Sequence, residues 1–562
     1  MSRKLFLSFL GATNYTRCNY YKEEKPDQKI ENVKYVQEAL VQLYCTDFQP
    51  GDQFCFFLTK KAREKNWENS TQNEQGLKAR LLQLSIREEQ ILEVDIPEGS
   101  STEKIWDIFE RVFGVIGKDD EVHLDITHSF RFFPLLGMTL LNYAKALHGI
   151  SVKGIYYGAF EAAPNNNSND LRNAPIFDLI SISDLQDWTN AAYEFVHYGK
   201  VSNLRQLTKK QIKPVLAETK GADEIARRLS IISNTTEEMA KAIATNRGAK
   251  IYQSIDFDNL NDNLQFFEEH QSFIKPLNAI IKTLADKVAP FKNNDPLHWL
   301  KSARWCVNHG MYQQAITQLR EGVLTWLCLQ LQPVNGFFDW KNKIPRDLLS
   351  SIFTIINRSF EKDKWEKEAR KYAWLTHTLI QHPFFKEMAP LFSSLRHLRN
   401  DVNHGGYTGQ QKQKNKNESD KKVSQCKKIV EQFEAIDWSA PLEVKFSPLL
   451  NLSNHPLSSW QEAQKAEAER LFGRVEDMPF PAVPPEADEE AIDALVDEYF
   501  EAIVKQSPAA VHIMGEMTFT CRLVEKLKAH GITCLASTTE RIAREEGGHK
   551  ITEFRFSRFR KY

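Results

Sequence analysis

The chain has 562 residues, of which 42% are hydrophobic, 11% aromatic and 26% charged, and its formal net charge is −1. This composition is that of a folded protein with about three or four domains and excludes a largely disordered chain. No apolar run approaches the ~20 residues of a membrane-spanning helix, so we expect no membrane partner. Because 73 basic residues balance 74 acidic ones, any contact with nucleic acid must be local.

The eight cysteines are scattered and form no C-x-x-C pair. This spacing argues against a disulfide framework and a structural zinc site, and it indicates a reducing, cytoplasmic location. The first residues, MSRKLFLSFLGATNY, reach Asn14 and Tyr15 too early for a signal peptide, so LFLSFL is interpreted as a buried strand.

The order of short apolar runs and amphipathic stretches predicts a multidomain protein that combines α/β and all-α parts. Six runs that are apolar on both faces predict a doubly wound, Rossmann-like parallel sheet; they lie at 5–10, 54–58, 91–96, 122–126, 152–157 and 176–180. Helical periods dominate from 184 to 438, and strand and helix patterns return near the end. The predicted parts are a sheet domain (1–183), a helical connector (184–290), a helical bundle (291–450), a proline-rich linker (451–487) and a small α/β unit (488–562).

Two polar loops follow strands of the predicted sheet and should lie at its carboxyl edge, where ligands bind in such folds. The first contains Gly11, Thr13, Asn14 and Tyr15. The second ends one strand and opens a helix with Pro134 in its first turn, and it contains Asp125, Thr127, His128, Ser129 and Arg131. Backbone N–H groups at a helix start, with hydroxyls and an imidazole, suit a phosphate. An ordinary helix cap and a strand-ending turn remain the alternatives.

The blocks FLGATNY, DITHSF, IYYGAFE and PIFDLI resemble, in order and spacing over about 1–185, the sensor domain of the CRISPR-associated DxTHG-motif family. This resemblance implies a CARF fold that binds cyclic oligoadenylate, and it favours the tetra-adenylate. Ser129 stands where the family has Gly, and Thr13 where Gly is common.

A second motif, R-x-x-x-x-H, occurs twice in the helical region. Arg can hold phosphate oxygens and His can transfer protons, which suffices for RNA cleavage without a metal. We favour Arg399–Asn400–His404, which precedes a glycine pair and a polar loop, over Arg304–His309, where Trp305 indicates a core position. Residues 396–428 carry nine Lys or Arg and three Asp or Glu, which fits either an RNA-binding strip or a solvated loop.

The segments ARWCVNHGMYQQAITQLREGV and SLRHLRNDVNHGG resemble the HEPN ribonuclease domain that this family fuses to CARF sensors. The resemblance implies catalysis by Arg399 and His404 with support from Asn400, a site shared within a homodimer or higher homo-oligomer, and no metal or other cofactor. The implied function is a cyclic oligoadenylate-activated endoribonuclease that cuts single-stranded RNA by 2′-OH attack in type III CRISPR antiviral defence. The alternative is a non-catalytic sensor that signals through a partner.

The C-terminal unit is expected to contain a Ser/Thr-rich turn between two strands. Its candidate phosphate-binding or acid–base residues are Glu516, Thr518, Ser537, Thr538, Thr539 and Arg541. The unit resembles small CARF-like domains, some of which degrade cyclic oligoadenylate as ring nucleases. A packing or dimerisation module is the alternative.

Overall fold

The computed structural model describes residues 2–68, 75–128, 130–163, 171–333, 335–405, 417–546 and 549–562. These residues form two compact units, Met1–Glu194 with Ile274–Leu277, and Phe195–Phe273 with Asn278–Tyr562. Among them, no helix has the length and apolar character needed to cross a membrane.

The first unit is built on an eight-stranded sheet in the order β3-β2-β8-β7-β6-β1-β4-β5. Its strands are β1 (Lys4–Leu10), β2 (Cys18–Lys22), β3 (Lys25–Val33), β4 (Gln53–Leu58), β5 (Ile91–Asp95), β6 (Glu121–Asp125), β7 (Ser151–Gly158) and β8 (Asn173–Asp178). Its helices are α1 (Val36–Tyr44), α2 (Lys60–Ala62), α3 (Leu77–Gln83), α4 (Thr102–Gly114) and α5 (Phe133–His148).

Strand β1 lies in the interior of this sheet, third from the β5 edge, and both of its faces are apolar. Phe6 packs on one face in a cluster with α1, and Leu5 and Leu7 pack on the other with α4 and α5. The strand pairs in parallel with β4 on one side and β6 on the other. Because β4 and β5 extend the sheet on one side of β1 and β6 then pairs with its other side, the β1/β6 boundary is the topological switch point. The α/β fold predicted from the six apolar runs is confirmed.

Three strands depart from a simple parallel sheet. β2 and β3 form an antiparallel hairpin, which the sequence analysis does not predict. β8 runs parallel to β2 but antiparallel to β7. β3 has the sequence KPDQKIENV and is almost wholly exposed, so it carries no apolar run that could signal a strand.

The second unit begins with a helical part, as predicted. Its helices, from α6 at the boundary of the two units onward, are α6 (Ile180–Tyr198), α7 (Ser202–Glu218), α8 (Glu224–Ala244), α9 (Gly248–Gln253), α10 (Phe257–Glu269), α11 (Lys275–Val288), α12 (His298–Asn308), α13 (Tyr312–Leu331), α14 (Lys343–Arg358), α15 (Lys367–Lys371), α16 (Ala373–Gln381), α17 (Pro383–Asn403) and α18 (Glu418–Glu434). Trp299, Trp326 and Phe433 surround Trp438 in its core, with ring centroids 4.9 to 6.3 Å from that indole.

A five-stranded sheet in the order β10-β9-β11-β12-β13 completes this unit. Its elements are β9 (Leu449–Ser453), α19 (Glu462–Phe472), β10 (Val475–Asp477), α20 (Glu489–Gln506), β11 (Ala510–Met514), α21 (Met517–Ala529), β12 (Cys534–Glu546) and β13 (His549–Lys561). Leu450 and Ile513 pack towards α20 and α21 on one face, and Leu449 and Leu535 pack with Ala468 of α19 on the other.

This sheet corrects two expectations. The segment interpreted as a linker, 451–487, supplies most of β9 and all of α19 and β10, so only its later part connects elements. The expected Ser/Thr-rich turn is instead the middle of β12, where Thr539 pairs with Phe556 and Arg541 with Phe554 of β13. Threonine is enriched in β-strands, and hydrogen bonds to the antiparallel strand β13 satisfy backbone groups that a turn would have exposed.

Candidate functional site

The two polar loops predicted at the carboxyl edge of the sheet meet at the β1/β6 switch point. The Tyr15 hydroxyl accepts a hydrogen bond from Gly11 N at 2.9 Å, and the Tyr15 ring lies edge-on to His128 with centroids 4.5 Å apart. Asn66 donates to the carbonyl oxygens of Gly11 and Thr13 at 2.8 and 2.9 Å, which fixes the first loop. The structure therefore brings the two loops together into one crevice.

Asp125 and Thr127 face inward and hold the crevice in shape. The Asp125 carboxylate is fully buried and accepts hydrogen bonds from Ser8 Oγ at 2.7 Å and Thr127 N at 2.9 Å. Burial raises the pKa of this carboxyl above its ordinary range. The Thr127 hydroxyl accepts from Gly158 N at 2.9 Å and so ties β6 to β7. These contacts fix the positions of both side chains at the edge of the crevice.

His128 is the group in this crevice best placed to meet a ligand. Its Nε2 is buried and has no hydrogen-bond partner among the described residues. Burial lowers the pKa of the imidazole to about 4, so the ring is neutral at pH 7. Thr13, Asn14 and Arg131 are exposed at the same edge, and Ser129 lies outside the described residues.

The second loop ends before the helix rather than within its first turn. Helix α5 begins at Phe133 with Pro134 at its start, as predicted, so the described residues 127, 128, 130 and 131 precede it. The donors available to an anion here are therefore side chains and turn amides, with the helix start four residues beyond Ser129.

Arg399, Asn400 and His404 lie on the last turns of α17. Arg399 Nη1 donates to Asn400 Oδ1 at 3.4 Å, a long contact, while its Nε is buried with no partner in the described part of the chain. His404 follows the helix as its exposed C-cap, and its backbone N–H donates to Asn400 O at 2.9 Å. Gly405, at φ +60°, turns the backbone away in the left-handed region. The end of α17 thus carries a guanidinium whose Nε–H has no partner among the described residues and an imidazole that is exposed.

The second R-x-x-x-x-H motif has a different environment. Arg304 forms an ion pair with Glu434 of α18. His309 is buried, with Nδ1 2.7 Å from Trp305 O and Nε2 2.9 Å from Lys287 Nζ. Both groups are engaged within the fold, which agrees with the preference for Arg399 and His404.

A groove of about 500 Å³ runs between α17 and α18, beside the Arg399 motif. His397, Lys422 and Lys428 line it, and Lys422 pairs with Asp401 at 2.8 Å. Part of the predicted basic strip therefore borders an open groove. The rest of the strip, at 406–416, lies outside the described residues.

The C-terminal candidates are separated by the fold. Glu516 caps α21 by accepting hydrogen bonds from Thr518 N and Phe519 N at 2.9 and 2.8 Å, which lowers the pKa of its carboxyl. The Thr538 hydroxyl donates to Arg558 O at 2.9 Å across the β12–β13 pair. Ser537 alone of these residues joins a larger polar network.

That network crosses three strands on the face covered by α19. Ser537 Oγ lies 2.8 Å from His512 Nε2, and His512 Nδ1 lies 2.8 Å from Asn451 Oδ1. Because an amide oxygen only accepts, His512 carries its proton on Nδ1, and Nε2 accepts from the Ser537 hydroxyl. Asn451 in turn donates to Asp477 at 2.7 Å. Sequence reasoning missed His512 and Asn451, since polar residues inside separate strands have no spacing that links them.

Within the part of the chain that the structure describes, no three His, Cys, Asp or Glu residues are grouped so as to hold a metal ion.

Comparisons with known proteins give a match to each of three regions. Residues 5–161 match the model described as "CRISPR system endoribonuclease Csx1, CARF domain". Residues 184–292 match "CRISPR-associated protein MJ1674, second domain", and residues 447–560 match "Uncharacterized protein MJ1673 family".

One curated relative is the CRISPR-associated protein MJ1674 of Methanocaldococcus jannaschii. It is 26% identical over 241 residues, which cover 42% of this chain and 33% of the relative. The match therefore spans about a third of the relative's length. Together, these similarities relate the first unit to the CARF domain of an endoribonuclease family and the chain to CRISPR-associated proteins.

Proposed function

We propose that the protein is an endoribonuclease of the HEPN type, activated by cyclic oligoadenylate, that cuts single-stranded RNA in type III CRISPR defence. In this proposal the crevice formed by the Gly11 and His128 loops binds the activator, tetra-adenylate being the favoured ring size. Arg399, Asn400 and His404 form the catalytic set, and two protomers build the site together. No metal or other cofactor takes part.

The observation that carries the proposal is the contrast between the two R-x-x-x-x-H motifs. Arg399 Nε is buried without a partner among the described residues, and His404 is exposed at a helix end. Arg304 and His309 are held by Glu434 and Lys287. A buried guanidinium N–H without a partner is unfavourable unless it meets an anion or a second protomer.

The chemistry is a transesterification. The ribose 2′-OH attacks the adjacent phosphorus, and the 5′-oxygen of the next nucleotide leaves, which gives a 2′,3′-cyclic phosphate and a 5′-hydroxyl. His404 moves the proton between these oxygens, and Arg399 stabilises the added negative charge on the phosphorane. Activation requires that the ligand bind one arrangement of the dimer more tightly than the other.

The test is cleavage of a labelled single-stranded RNA in EDTA, with and without cyclic tetra-adenylate. We expect activator-dependent cleavage that EDTA does not reduce. His404→Ala and Arg399→Ala should each lower the rate by at least about 100-fold, the size typical of a lost proton-transfer or charge-stabilising group, while activator binding stays unchanged. His270→Ala, at an exposed position outside both motifs, is the matched control.

Two outcomes contradict this assignment. If His309→Ala abolishes cleavage and His404→Ala does not, the other motif is the active one. If the folded protein binds the activator but leaves RNA intact under all conditions, it is a sensor that signals through a partner.

A second candidate function concerns the C-terminal unit, for which we propose degradation of the activator. The Ser537–His512–Asn451 network favours it, because a hydroxyl bonded to a neutral imidazole that is itself oriented by an amide is an arrangement that activates nucleophiles and transfers protons. Consumption of labelled cyclic tetra-adenylate by the His404→Ala protein is the measurement. Ser537→Ala should stop it and Ser459→Ala should not; equal rates in both would leave the unit a packing module.

A further inference from the structure

The helical part contains a cavity of about 260 Å³ that no residue of either R-x-x-x-x-H motif lines. It lies between α9, α12 and α13, and it is also lined by Trp340 and Lys341 in the segment that precedes α14. Engineered protein cavities of about 150 Å³ hold benzene. This cavity therefore has room for a larger, fused-ring group.

Two buried polar atoms in the cavity wall lack partners. Gln318 is 4% exposed, and its Nε2 has no hydrogen-bond partner among the described residues. Asn246, which follows α8, contributes the second atom: its Oδ1 is also buried and has no hydrogen-bond partner among the described residues. An unpaired buried donor and acceptor are unfavourable, and a ligand that offers an acceptor to Gln318 and a donor to Asn246 would satisfy both.

A third polar group, His298, adds an acceptor. It is 4% exposed, and Nδ1 lies 3.0 Å from Asp295 O, so Nδ1 carries the proton and Nε2 is free to accept. A Cβ at Gly248 would lie 3.3 Å from Gln318 Oε1 and 3.7 Å from His298 Nε2. Glycine at this position thus lets the backbone approach the two groups.

Aromatic rings form the remaining walls. Tyr252 stacks on His298 with centroids 5.2 Å apart and an interplanar angle of 23°, and it meets Trp340 edge-on at 5.7 Å. Flat aromatic walls favour a flat ligand, and nucleobases stack on such rings whatever their sequence.

The charges around the cavity are already balanced. Arg346 donates to the Glu321 carboxylate at 2.7 Å and to Thr325 Oγ1 at 2.7 Å, and Arg320 also pairs with Glu321. These arginines lower the pKa of Glu321, which stays ionised. Since the interior charges are paired, the cavity suits an uncharged polar ring, while exposed Lys341 at its edge can meet a phosphate.

We propose that this cavity is a binding site for a purine base, with Gln318 and Asn246 reading its polar edge and Tyr252 and Trp340 enclosing its ring. Adenine fits the available groups: its N6 amino group can donate to Asn246 Oδ1 and His298 Nε2, and a ring nitrogen can accept from Gln318. The base belongs either to a purine mononucleotide or to a nucleotide splayed out of an RNA strand. The proposed purine site is independent of which R-x-x-x-x-H motif cuts RNA.

The test is titration of the full-length protein with AMP, GMP, CMP and UMP, and with a short single-stranded RNA that contains one purine. Amide hydrogen exchange locates the bound probe, with protection expected at 246–252 and around Gln318. We expect purine nucleotides to bind at least about tenfold more tightly than pyrimidine nucleotides, a difference of 1.4 kcal/mol. RNA that binds more tightly than AMP and displaces it identifies an RNA base as the source, and the reverse order identifies the free nucleotide.

Gln318→Leu is the decisive variant because it removes an unpaired buried amide without changing the volume greatly. It should keep or raise thermal stability and weaken purine binding in the cavity at least tenfold. Gln313→Leu, at an exposed position on the same helix, is the matched control, and Trp340→Ala is a second variant at the cavity edge. Purine binding that is equal in wild type, Gln318→Leu and Trp340→Ala, or protection confined to the crevice of the first unit, overturns the proposal.

Discussion

His128 connects the two loops of the crevice through its contact with Tyr15, and its Nε2 has no partner in the described part of the chain. We expect His128→Ala and Asn14→Ala to weaken activator binding about tenfold, which is the loss of one to two hydrogen bonds to a ligand. The dose–response of RNA cleavage should shift to higher activator, and a saturating dose should restore most of the rate because the proposed chemistry lies elsewhere.

Isothermal titration checks this prediction. Thr16→Ala, an exposed change in the same loop, is the control for a general effect on the loop. Affinities that are the same in wild type and both variants would show that the crevice does not bind the activator.

Individual residues show where sequence patterns stop being informative. The positions of Gly11, Tyr15 and His128 at one edge follow from strand-ending loops, and the structure places them there. The role of each loop residue cannot be read from the sequence in this way. Asp125, for example, is buried and accepts a hydrogen bond from Ser8, which lies 117 positions earlier in the chain. A local pattern carries no information on such a partner, so an inward-facing carboxylate and a ligand-facing one look alike in sequence.

The helix pair α12/α13 depends on one glycine at its contact. A Cβ at Gly322 would lie 2.1 Å from Trp299 Cγ and 2.3 Å from its Cβ, so any side chain there must displace a fully buried tryptophan. Gly322→Ala should lower the free energy of unfolding by about 1–3 kcal/mol, the usual effect of overpacking. Urea unfolding measures it, with Gly336→Ala as the control because nothing lies within 4 Å of a Cβ at that position. Equal urea midpoints for wild type and Gly322→Ala would mean that α12 and α13 move apart without loss of unfolding free energy.

At the scale of elements, burial decides what the sequence predicts. The six strands that are apolar on both faces appear as runs, and the long helices appear as periods of three and four. The β2–β3 hairpin and the outer part of β12 lie at sheet edges and carry Lys, Glu, Arg and Thr, as edge strands do. Their pairing comes from backbone hydrogen bonds, which leave no mark on the side-chain pattern. β9 and β10 are missed because they are short and flank a proline-containing stretch.

Buried neutral histidines should make the whole second unit sensitive to acid. His512 is 1% exposed, and burial lowers its pKa from the ordinary 6.5 to about 4. Above pH 6.5 the ring is neutral in both folded and unfolded chains and contributes no pH dependence. Below pH 6.5 this histidine binds a proton in the unfolded chain but stays neutral in the folded one. The free energy of unfolding therefore falls by about 1.4 kcal/mol per pH unit until the pH nears 4.

Urea unfolding at pH 7.0 and 5.0 therefore provides a test. His512→Gln, which keeps a side chain able to hydrogen-bond with Asn451 and Ser537, should reduce the loss of stability between these two values by about 2 kcal/mol. The same loss in wild type and variant would show that His512 is protonated within the fold.

The proposed shared catalytic site predicts the size of the particle in solution. Light scattering after gel filtration should give twice the chain's 65.0 kDa, with or without activator. Arg399→Ala should remain a dimer while losing cleavage, since removal of one cation from an interface need not dissociate it. A wild-type monomer that cleaves RNA at the dimer's rate would contradict a site built from two protomers.

The interior position of β1 also determines when the first unit can fold. Its partner β6 and the loop after it follow more than a hundred residues later, as the pair Ser8 and Asp125, 117 positions apart, illustrates. At synthesis rates of about 5–20 residues per second, roughly 6–23 s pass before that partner is synthesised. During this interval an apolar strand and its first neighbour, β4, have an unsatisfied edge, which is a hazard for aggregation. We expect this edge to be the part of the nascent first unit most prone to wrong pairing, and the crevice to be among the last features of that unit to assemble.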